Sequence, residues 1–338
     1  MGTSNKINWT EVSESGYQAL LRGNFDEAEK CFRLAIEKGG FEQTDVRLAY
    51  SFLVLGKCFI LRGDYVGAEP LYRRALEIYE RAYGQEHKDV GLSLVGLAKC
   101  NMQCGKYTEA QLLYTRVISI YEKVYSKDHE EVGNVLENLS QCYVNQRDHA
   151  RAIPLYDRVI EIFTKAHGPT HEFVASAMFA QARCYDERNE DKKAEPLFHR
   201  ALEIYENQQK KNLDQIANIR YNLGRTYHGQ RDFSNAERWY RRAIDGFEKA
   251  QGMERQSAYA MFGLATCYMS SGDYRADQTF KKCQAAYDKL FGPEDMHMAY
   301  LYDAYARLMH NTCRIDEGKR LEKRAQDIRD KQDKRRLL

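Results

Sequence analysis

One motif recurs along this chain at a nearly fixed interval. GDYVGAEPLYRRAL at residue 63 matches GKYTEAQLLYTRVI at 105 and RDHARAIPLYDRVI at 147. An alanine inside each copy marks the register, with a spacing of 40 residues once and 42 residues four times. These alanines are Ala28, Ala68, Ala110, Ala152, Ala194 and Ala236. A shortened copy at 272 and a degenerate one at 313 extend the series. Such a period indicates one structural unit repeated in tandem.

Each unit has the pattern of two helices. The first has apolar residues three and four apart, as at Leu94, Leu97 and Cys100, and ends near a Gly, Asp or Asn turn. The second runs from that turn through segments such as AEPLYRRALEIYE, where alanines permit close helix contact. No segment alternates with the period of a strand. We predict an all-α fold, a right-handed superhelical solenoid of stacked helix-turn-helix hairpins with about sixteen helices.

The repeated pattern resembles the tetratricopeptide repeat. The third unit carries the residues of that consensus: Leu94, Leu97, Ala98, Ala110, Tyr114 and Val117. The usual repeat has about 34 residues, whereas this chain uses 42, with a longer second helix and an added loop such as GQEHKDV. That longer form is similar to the repeats of kinesin light chains. The likeness is limited to the repeats, because no heptad coiled coil is present to hold a motor heavy chain.

We divide the chain into three segments. Residues 1–8 form an N-terminal extension, residues 9–328 a tandem solenoid of about eight repeats, and residues 329–338 a basic C-terminal tail. The formal net charge is only +2, so no overall field points to nucleic acid or to a membrane surface. No apolar run has the ~20 residues of a membrane span, and MGTSNKINWT has no signal-peptide core. We therefore expect a cytoplasmic protein that is not inserted in a membrane.

The nine cysteines raise the question of a metal or redox site. Cys58, Cys100, Cys142 and Cys184 are each 42 residues apart, Cys267 falls in the same column, and Thr226 interrupts it. The column lies three residues after the recurring leucine of the first helix, so it belongs to the buried face. Equivalent helices are about 8–10 Å apart, too far for a disulfide. We interpret these cysteines as packing residues.

No catalytic signature is present. The histidines His87, His129 and His171 recur at the repeat period, which is typical of a loop or helix-start feature and not of a metal ligand. The chain has no phosphate-binding loop, no HExxH and no GxSxG. Acidic residues such as Asp186 and Glu187 are explained as solvated helix ends. We expect a protein that is not an enzyme and that binds no metal or cofactor.

The first helices of such a solenoid line its concave groove. The column just before the cysteines is basic or polar and never acidic: Lys57, Lys99, Gln141, Arg183, Arg225, Thr266 and Arg307. One turn earlier, aromatic residues cluster at Phe179, Tyr221 and Phe262. Guanidinium groups bind carboxylates in a bidentate manner, and aromatic walls hold apolar side chains. We predict that these residues bind a partner segment that is preferably acidic.

The resemblance adds two candidate residues. In peptide-binding members of the family, asparagines beside the recurring leucine bond to the ligand backbone, and Asn138 and Asn222 match that position. Other units carry Val54, Gly96, Ala180 and Gly263 there, so the ladder of backbone contacts is incomplete.

The leading hypothesis is a non-catalytic scaffold or adaptor that binds a partner peptide in its concave groove. The alternative is a structural protein that self-associates through its convex face and terminal repeats. Nucleic-acid binding is weaker, because the groove has no dense basic patch.

Overall fold

A computed structural model describes residues 7–209 and 212–336, and all regular secondary structure within these ranges is helical. It contains sixteen helices, which confirms the predicted all-α class. The helices are α1 (Trp9–Leu21), α2 (Phe25–Lys38), α3 (Val46–Leu61), α4 (Tyr65–Tyr83), α5 (Lys88–Gln103), α6 (Tyr107–Val124), α7 (Glu130–Asn145), α8 (His149–His167), α9 (Glu172–Glu187), α10 (Asp191–Glu206), α11 (Leu213–Gly229), α12 (Phe233–Lys249), α13 (Glu254–Ser271), α14 (Arg275–Phe291), α15 (Met296–Asn311) and α16 (Ile315–Arg336).

The helices pack as successive hairpins. Each odd-numbered helix contacts the even-numbered helix that follows it, from α1 with α2 to α15 with α16. The chain divides into two compact units at Pro169 and Thr170, so unit 1 contains α1–α8 and unit 2 contains α9–α16. Each unit is a stack of helical hairpins, as predicted for a tandem-repeat solenoid.

The alanine column lies where the helices approach most closely. All six repeated alanines, from Ala28 to Ala236, have 0% of their surface exposed. An aromatic ring one turn later on the same helix is also buried in each repeat: Phe32, Tyr72, Tyr114, Tyr156, Phe198 and Tyr240. A larger side chain in the alanine column would force the paired helices apart. The repeat therefore encodes helix contact and core filling within one short motif.

The hairpin turns share one backbone feature. Each contains a residue with φ near +60° to +80°, a conformation that favours glycine. Glycine occupies this position in four hairpins, but Arg147, Asn189, Arg231 and Cys313 occupy it in the other four.

The periodic histidines begin helices. His87, His129 and His171 are the N-caps of α5, α7 and α9, and each Nδ1 accepts a hydrogen bond from the backbone N–H two residues later. Asp45 and Asp295 perform the same role for α3 and α15. The prediction of a helix-start feature is confirmed, and its physical reason is that an N-cap side chain satisfies a helical N–H without a partner.

The cysteine column is buried packing, as predicted. Cys58, Cys100, Cys142, Cys184 and Cys267 are each at most 1% exposed, and all nine cysteines are free thiols. Burial raises the pKa of the Cys142 thiol to about 11, so it stays protonated and unreactive near neutral pH.

The ends of the chain bear on the predicted segments. Residues 1–6 and 337–338 lie outside the described residues, so most of the predicted extension 1–8 cannot be placed. Asn8 caps α1 by accepting a hydrogen bond from the N–H of Thr10 at 3.2 Å. At the other end, α16 continues without a break from Ile315 to Arg336, so the basic segment that we assigned to a tail prolongs the last helix. Among the described helices, none is long and apolar enough to cross a membrane.

Candidate peptide-binding surfaces

The odd-numbered helices approach one another within each unit. In unit 1, α3 contacts α5, and in unit 2 contacts link α9 to α11, α11 to α13 and α13 to α15. These helices form the inner row of each stack, and the predicted column of basic and aromatic residues lies on them. The surface that they share within a unit is called its inner face below.

A tyrosine of the second helix fills the gap between consecutive inner helices in unit 1. Tyr72 of α4 lies between Gly56 of α3 and Gly96 of α5. A Cβ atom at these glycines would lie 2.8 Å and 2.1 Å from the ring, closer than real Cβ contacts. Only glycine lets the ring enter from both sides. We call Gly56, Lys57, Tyr72, Gly96 and Lys99 the Tyr72 cluster.

The same arrangement recurs in unit 2. Tyr240 of α12 lies between Gly224 of α11 and Gly263 of α13, and a Cβ atom at either glycine would lie 2.7 Å or 2.6 Å from its ring. This geometry explains two of the gaps in the asparagine ladder. At Gly96 and Gly263, which stand in the asparagine column, a side chain would collide with the tyrosine ring.

The two matching asparagines bond within their own helices. The Asn138 Nδ2 donates to the backbone oxygen of Asn134 at 2.7 Å, and that of Asn222 donates to the oxygen of Asn218 at 2.8 Å. Asn222 is buried, with 6% of its surface exposed. An intramolecular bond of this kind orients the amide, and a ligand would compete for it.

The two lysines that the basic column contributes to unit 1 have no acidic partners among the described residues. Lys57 is exposed and Lys99 is half-buried, and neither forms an ion pair there. Gln141 is exposed and donates to the Asn145 Oδ1 at 2.9 Å. The inner face of unit 1 therefore presents two uncompensated ammonium groups.

The structure brings three predicted site residues of unit 2 together. Tyr221, Arg225 and Phe262 line one open pocket of about 360 Å³, between α11 and α13. Tyr240 also lines this pocket, as do His228, Gly229, Gly263 and Thr266. We call it the Tyr240 pocket. Phe179 and Arg183 lie on α9, outside its lining, where the Phe179 ring packs 5.8 Å from that of Phe198.

Arg225 already has acidic partners within the protein. Its Nη2 atom lies 3.2 Å from the Asp186 Oδ2 and 3.4 Å from the Glu187 Oε1. Asp186 is buried, with 8% of its surface exposed, and accepts a hydrogen bond from the Thr226 Oγ1 at 3.3 Å. The interpretation of Asp186 as a solvated helix end is therefore wrong. Burial raises the pKa of the Asp186 carboxyl, and the Arg225 guanidinium partly offsets that rise.

Sequence reasoning missed three residues around the pocket. His228 donates to or accepts from the Ser270 hydroxyl at 3.1 Å, and burial lowers the pKa of its imidazole. Asp191 contacts Gly229, where an added Cβ would lie 2.5 Å from the Asp191 carboxylate. Tyr240 also lines the pocket, although its column otherwise fills the core. The one available signal was Thr226, the hydroxyl that interrupts the cysteine column and bonds to Asp186. No group of three potential metal ligands occurs among the described residues.

Inner and outer rows of repeated helices define a class, the helical-repeat proteins. Two family models described as tetratricopeptide repeat match the chain, one over residues 45–123, 89–153, 138–207 and 190–249, and the other over 221–288. These matches cover more than half of the chain. The protein belongs to the tetratricopeptide repeat family.

Solved structures are similar in fold. A signal transduction ATPase with numerous domains from Pyrococcus horikoshii, which carries a tetratricopeptide repeat sensor, is 17% identical with a TM-score of 0.71, over 84% of this chain and 42% of that one. RapI in its apo form is 15% identical with a TM-score of 0.64, over 85% and 99%. Kinesin-light-chain TPR-like repeats from Podosopora anserina are 19% identical with a TM-score of 0.52, over 62% and 100%. At these identities the likeness shows the fold alone. No curated protein matches the sequence.

Proposed function

We propose that this protein is a non-catalytic scaffold or adaptor that binds a segment of a partner protein along the inner faces of its repeats. The observation that carries this proposal is the convergence of Tyr221, Arg225 and Phe262 on one open pocket. The sequence places them in two neighbouring columns at helical spacing, Arg225 in the basic column and Tyr221 and Phe262 one turn earlier. Concave sites lined by aromatic side chains and a few polar groups are typical of ligand binding. The tetratricopeptide repeats of the Pyrococcus horikoshii protein form a sensor, which is consistent with this function.

The charge of the inner face supports a preference for acidic partner residues. Lys57 and Lys99 in unit 1 form no ion pair among the described residues. A partner carboxylate near them gains an attraction without displacing an existing one. The free thiols also support a reducing, cytoplasmic location.

The alternative of self-assembly through the terminal repeats gains less support. Helix α16 buries Ala325 and Ile328 against the stack, while its outward positions are exposed and charged, as at Lys319, Lys323 and Asp327. A polar outer surface is typical of a terminal repeat that caps a stack and keeps it from associating.

The experiment compares inner-face and outer-face charge reversals. Peptides are first selected on the wild-type protein from a phage-displayed random library and then titrated by fluorescence anisotropy. Lys57→Glu/Lys99→Glu should weaken an acidic peptide by about 100-fold, since each charge-assisted contact contributes about 1.5 kcal/mol or more.

The matched control is Arg73→Glu/Arg74→Glu on α4, whose guanidinium groups pair with Glu69 and Glu77 at the outer surface. This variant should bind normally. Loss of binding in the α4 variant with retention in the Lys57/Lys99 variant would reject the inner-face proposal and favour assembly through the convex face.

A further inference from the structure

The Tyr240 pocket has a rim of carboxylates that the basic column did not predict. Asp186 and Glu187 end helix α9 and contact Arg225, which lines the pocket. Asp191 begins helix α10 and lies against Gly229, which also lines it. Three carboxylates therefore lie beside one guanidinium group. Even with Arg183, one turn before Glu187 on α9, acidic groups outnumber basic ones.

Two of these carboxylates are accessible to a partner. The side chain of Glu187 is 46% exposed, and Asp191 is half-buried. Asp191 forms no hydrogen bond or ion pair among the described residues, and burial raises the pKa of its carboxyl, with Arg225 as the opposing influence. An anionic group in this state is stabilised by an added cation.

Three aromatic rings line the pocket beside the polar side chains of Arg225, His228 and Thr266. Tyr221 and Phe262 stand on the two flanking helices, and the Tyr240 ring lies between Gly224 and Gly263. The Tyr221 and Tyr240 rings are 6.0 Å apart and tilted by 54°. His228 adds no positive charge near neutral pH, because burial lowers the pKa of its imidazole. The opening is therefore suited to an uncharged, bulky side chain.

We propose that the Tyr240 pocket binds an apolar side chain of a partner segment and that Glu187 and Asp191 bind a lysine or arginine next to it. This inference rests on the proposed function and specifies the partner chemistry at this pocket. Charge complementarity selects the occupant. The Arg225 guanidinium is already compensated by Asp186 and Glu187, so a partner carboxylate gains little there, whereas a partner cation relieves an excess of negative charge. Unit 2 then prefers the opposite charge from the Tyr72 cluster of unit 1.

The test isolates unit 2 within the full-length protein. A random peptide library displayed on phage is selected in parallel on the wild type and on Lys57→Glu/Lys99→Glu, in which the ammonium groups of unit 1 are reversed. On that variant we expect enrichment of peptides that place Leu, Met or an aromatic residue beside Lys or Arg. The most enriched peptide is then synthesised and titrated against three proteins: the protein without further substitution, a binding variant and a control variant. The melting temperature of each is measured as a check on folding.

The binding variant is Glu187→Gln/Asp191→Asn, and we expect its affinity for this peptide to fall by about tenfold, as two partly exposed ion pairs are lost. The control is Glu77→Gln/Glu161→Gln on outer helices of unit 1, which removes the same charge and should bind normally. Enrichment of acidic peptides on the reversed variant, absence of any enrichment, or equal binding by Glu187→Gln/Asp191→Asn would overturn the inference. If wild type still selects acidic peptides in those cases, the proposed function stands without it.

Discussion

The Tyr72 cluster and the Tyr240 pocket are two copies of one design with different charge. In both, a tyrosine enters between two glycines of consecutive inner helices. In the Tyr72 cluster, the positions near those glycines hold Lys57 and Lys99. In the Tyr240 pocket, the corresponding positions hold Arg225 and the uncharged Thr266. The lysines have no acidic partners among the described residues, whereas Arg225 is paired with Asp186 and Glu187.

The difference comes from the preceding repeat. In unit 2, Asp186 and Glu187 lie eight and seven residues before the repeated Ala194. The same two positions before Ala28 in unit 1 are Leu20 and Leu21. Leu21 is 64% exposed, although it is apolar. A repeat protein can thus keep its glycine and tyrosine framework constant and change the charge of a surface through the helix next to it. The charge of a site cannot be read from one repeat alone.

The largest expected effect tests the shared framework. Gly96→Ala should lower the free energy of unfolding by about 3 kcal/mol, because the new Cβ collides with the buried Tyr72 ring. Gly263→Ala should cost less, about 2 kcal/mol, since its Cβ would lie farther from Tyr240. Urea unfolding monitored by circular dichroism measures both values.

A double-mutant cycle with Tyr72→Ala isolates the collision. If the ring causes the loss, Gly96→Ala should cost much less in the Tyr72→Ala background. If Gly96→Ala lowers the free energy of unfolding equally in that background, helix propensity or another neighbour is responsible. The proposed collision with the Tyr72 ring would then be wrong.

The next effect is a change in the free energy of unfolding that differs between Arg225, which has acidic partners, and Lys57, which has none among the described residues. Arg225→Gln leaves the buried Asp186 without its partner and should lower the free energy of unfolding by about 1–2 kcal/mol, a value reduced because the guanidinium is partly exposed. Lys57→Gln is the control and should change it by less than about 0.5 kcal/mol.

The pH dependence of the same variant gives a second readout. Asp186 has a folded pKa above its ordinary value, so between those two values the folded state holds a proton that the unfolded state has released. Stability therefore falls as pH rises through this window. Because Arg225 lowers the pKa of Asp186, Arg225→Gln should widen the window. An Arg225→Gln variant whose stability has the same pH dependence as that of the wild type would contradict the pairing.

The smallest effect concerns the ring between α5 and α7. The Tyr114 hydroxyl is fully buried and has no hydrogen-bond partner among the described residues. Phenylalanine already fills this column at Phe32, Phe198 and Phe280. Tyr114→Phe should raise the free energy of unfolding by about 1 kcal/mol, because it removes a buried polar group that has lost its water. A destabilised variant in urea unfolding would indicate a partner for that hydroxyl.

Periodicity was sufficient to predict the parts of this molecule that depend on neighbours in sequence. The helices, the alanine contacts, the buried cysteines and the histidine caps all follow from spacings within one repeat. Arg225 and Glu187 are 38 residues apart, on helices of different repeats. Their pairing depends on whether the two side chains reach each other across neighbouring helices. The column of basic residues carries no information about that distance. The predicted columns thus bring Tyr221, Arg225 and Phe262 to one pocket, but they do not reveal the acidic partners of Arg225.

The most direct test of the account is to map where a bound peptide lies. A peptide selected on the wild-type protein is resynthesised with a benzophenone side chain, irradiated in the complex, and the cross-linked residues are identified by mass spectrometry. The account predicts cross-links to the inner helices, such as α3 and α5 beside Lys57 and Lys99 or α11 and α13 beside Tyr221 and Phe262. Cross-links confined to the even-numbered helices, such as α4 beside Arg73, would contradict it.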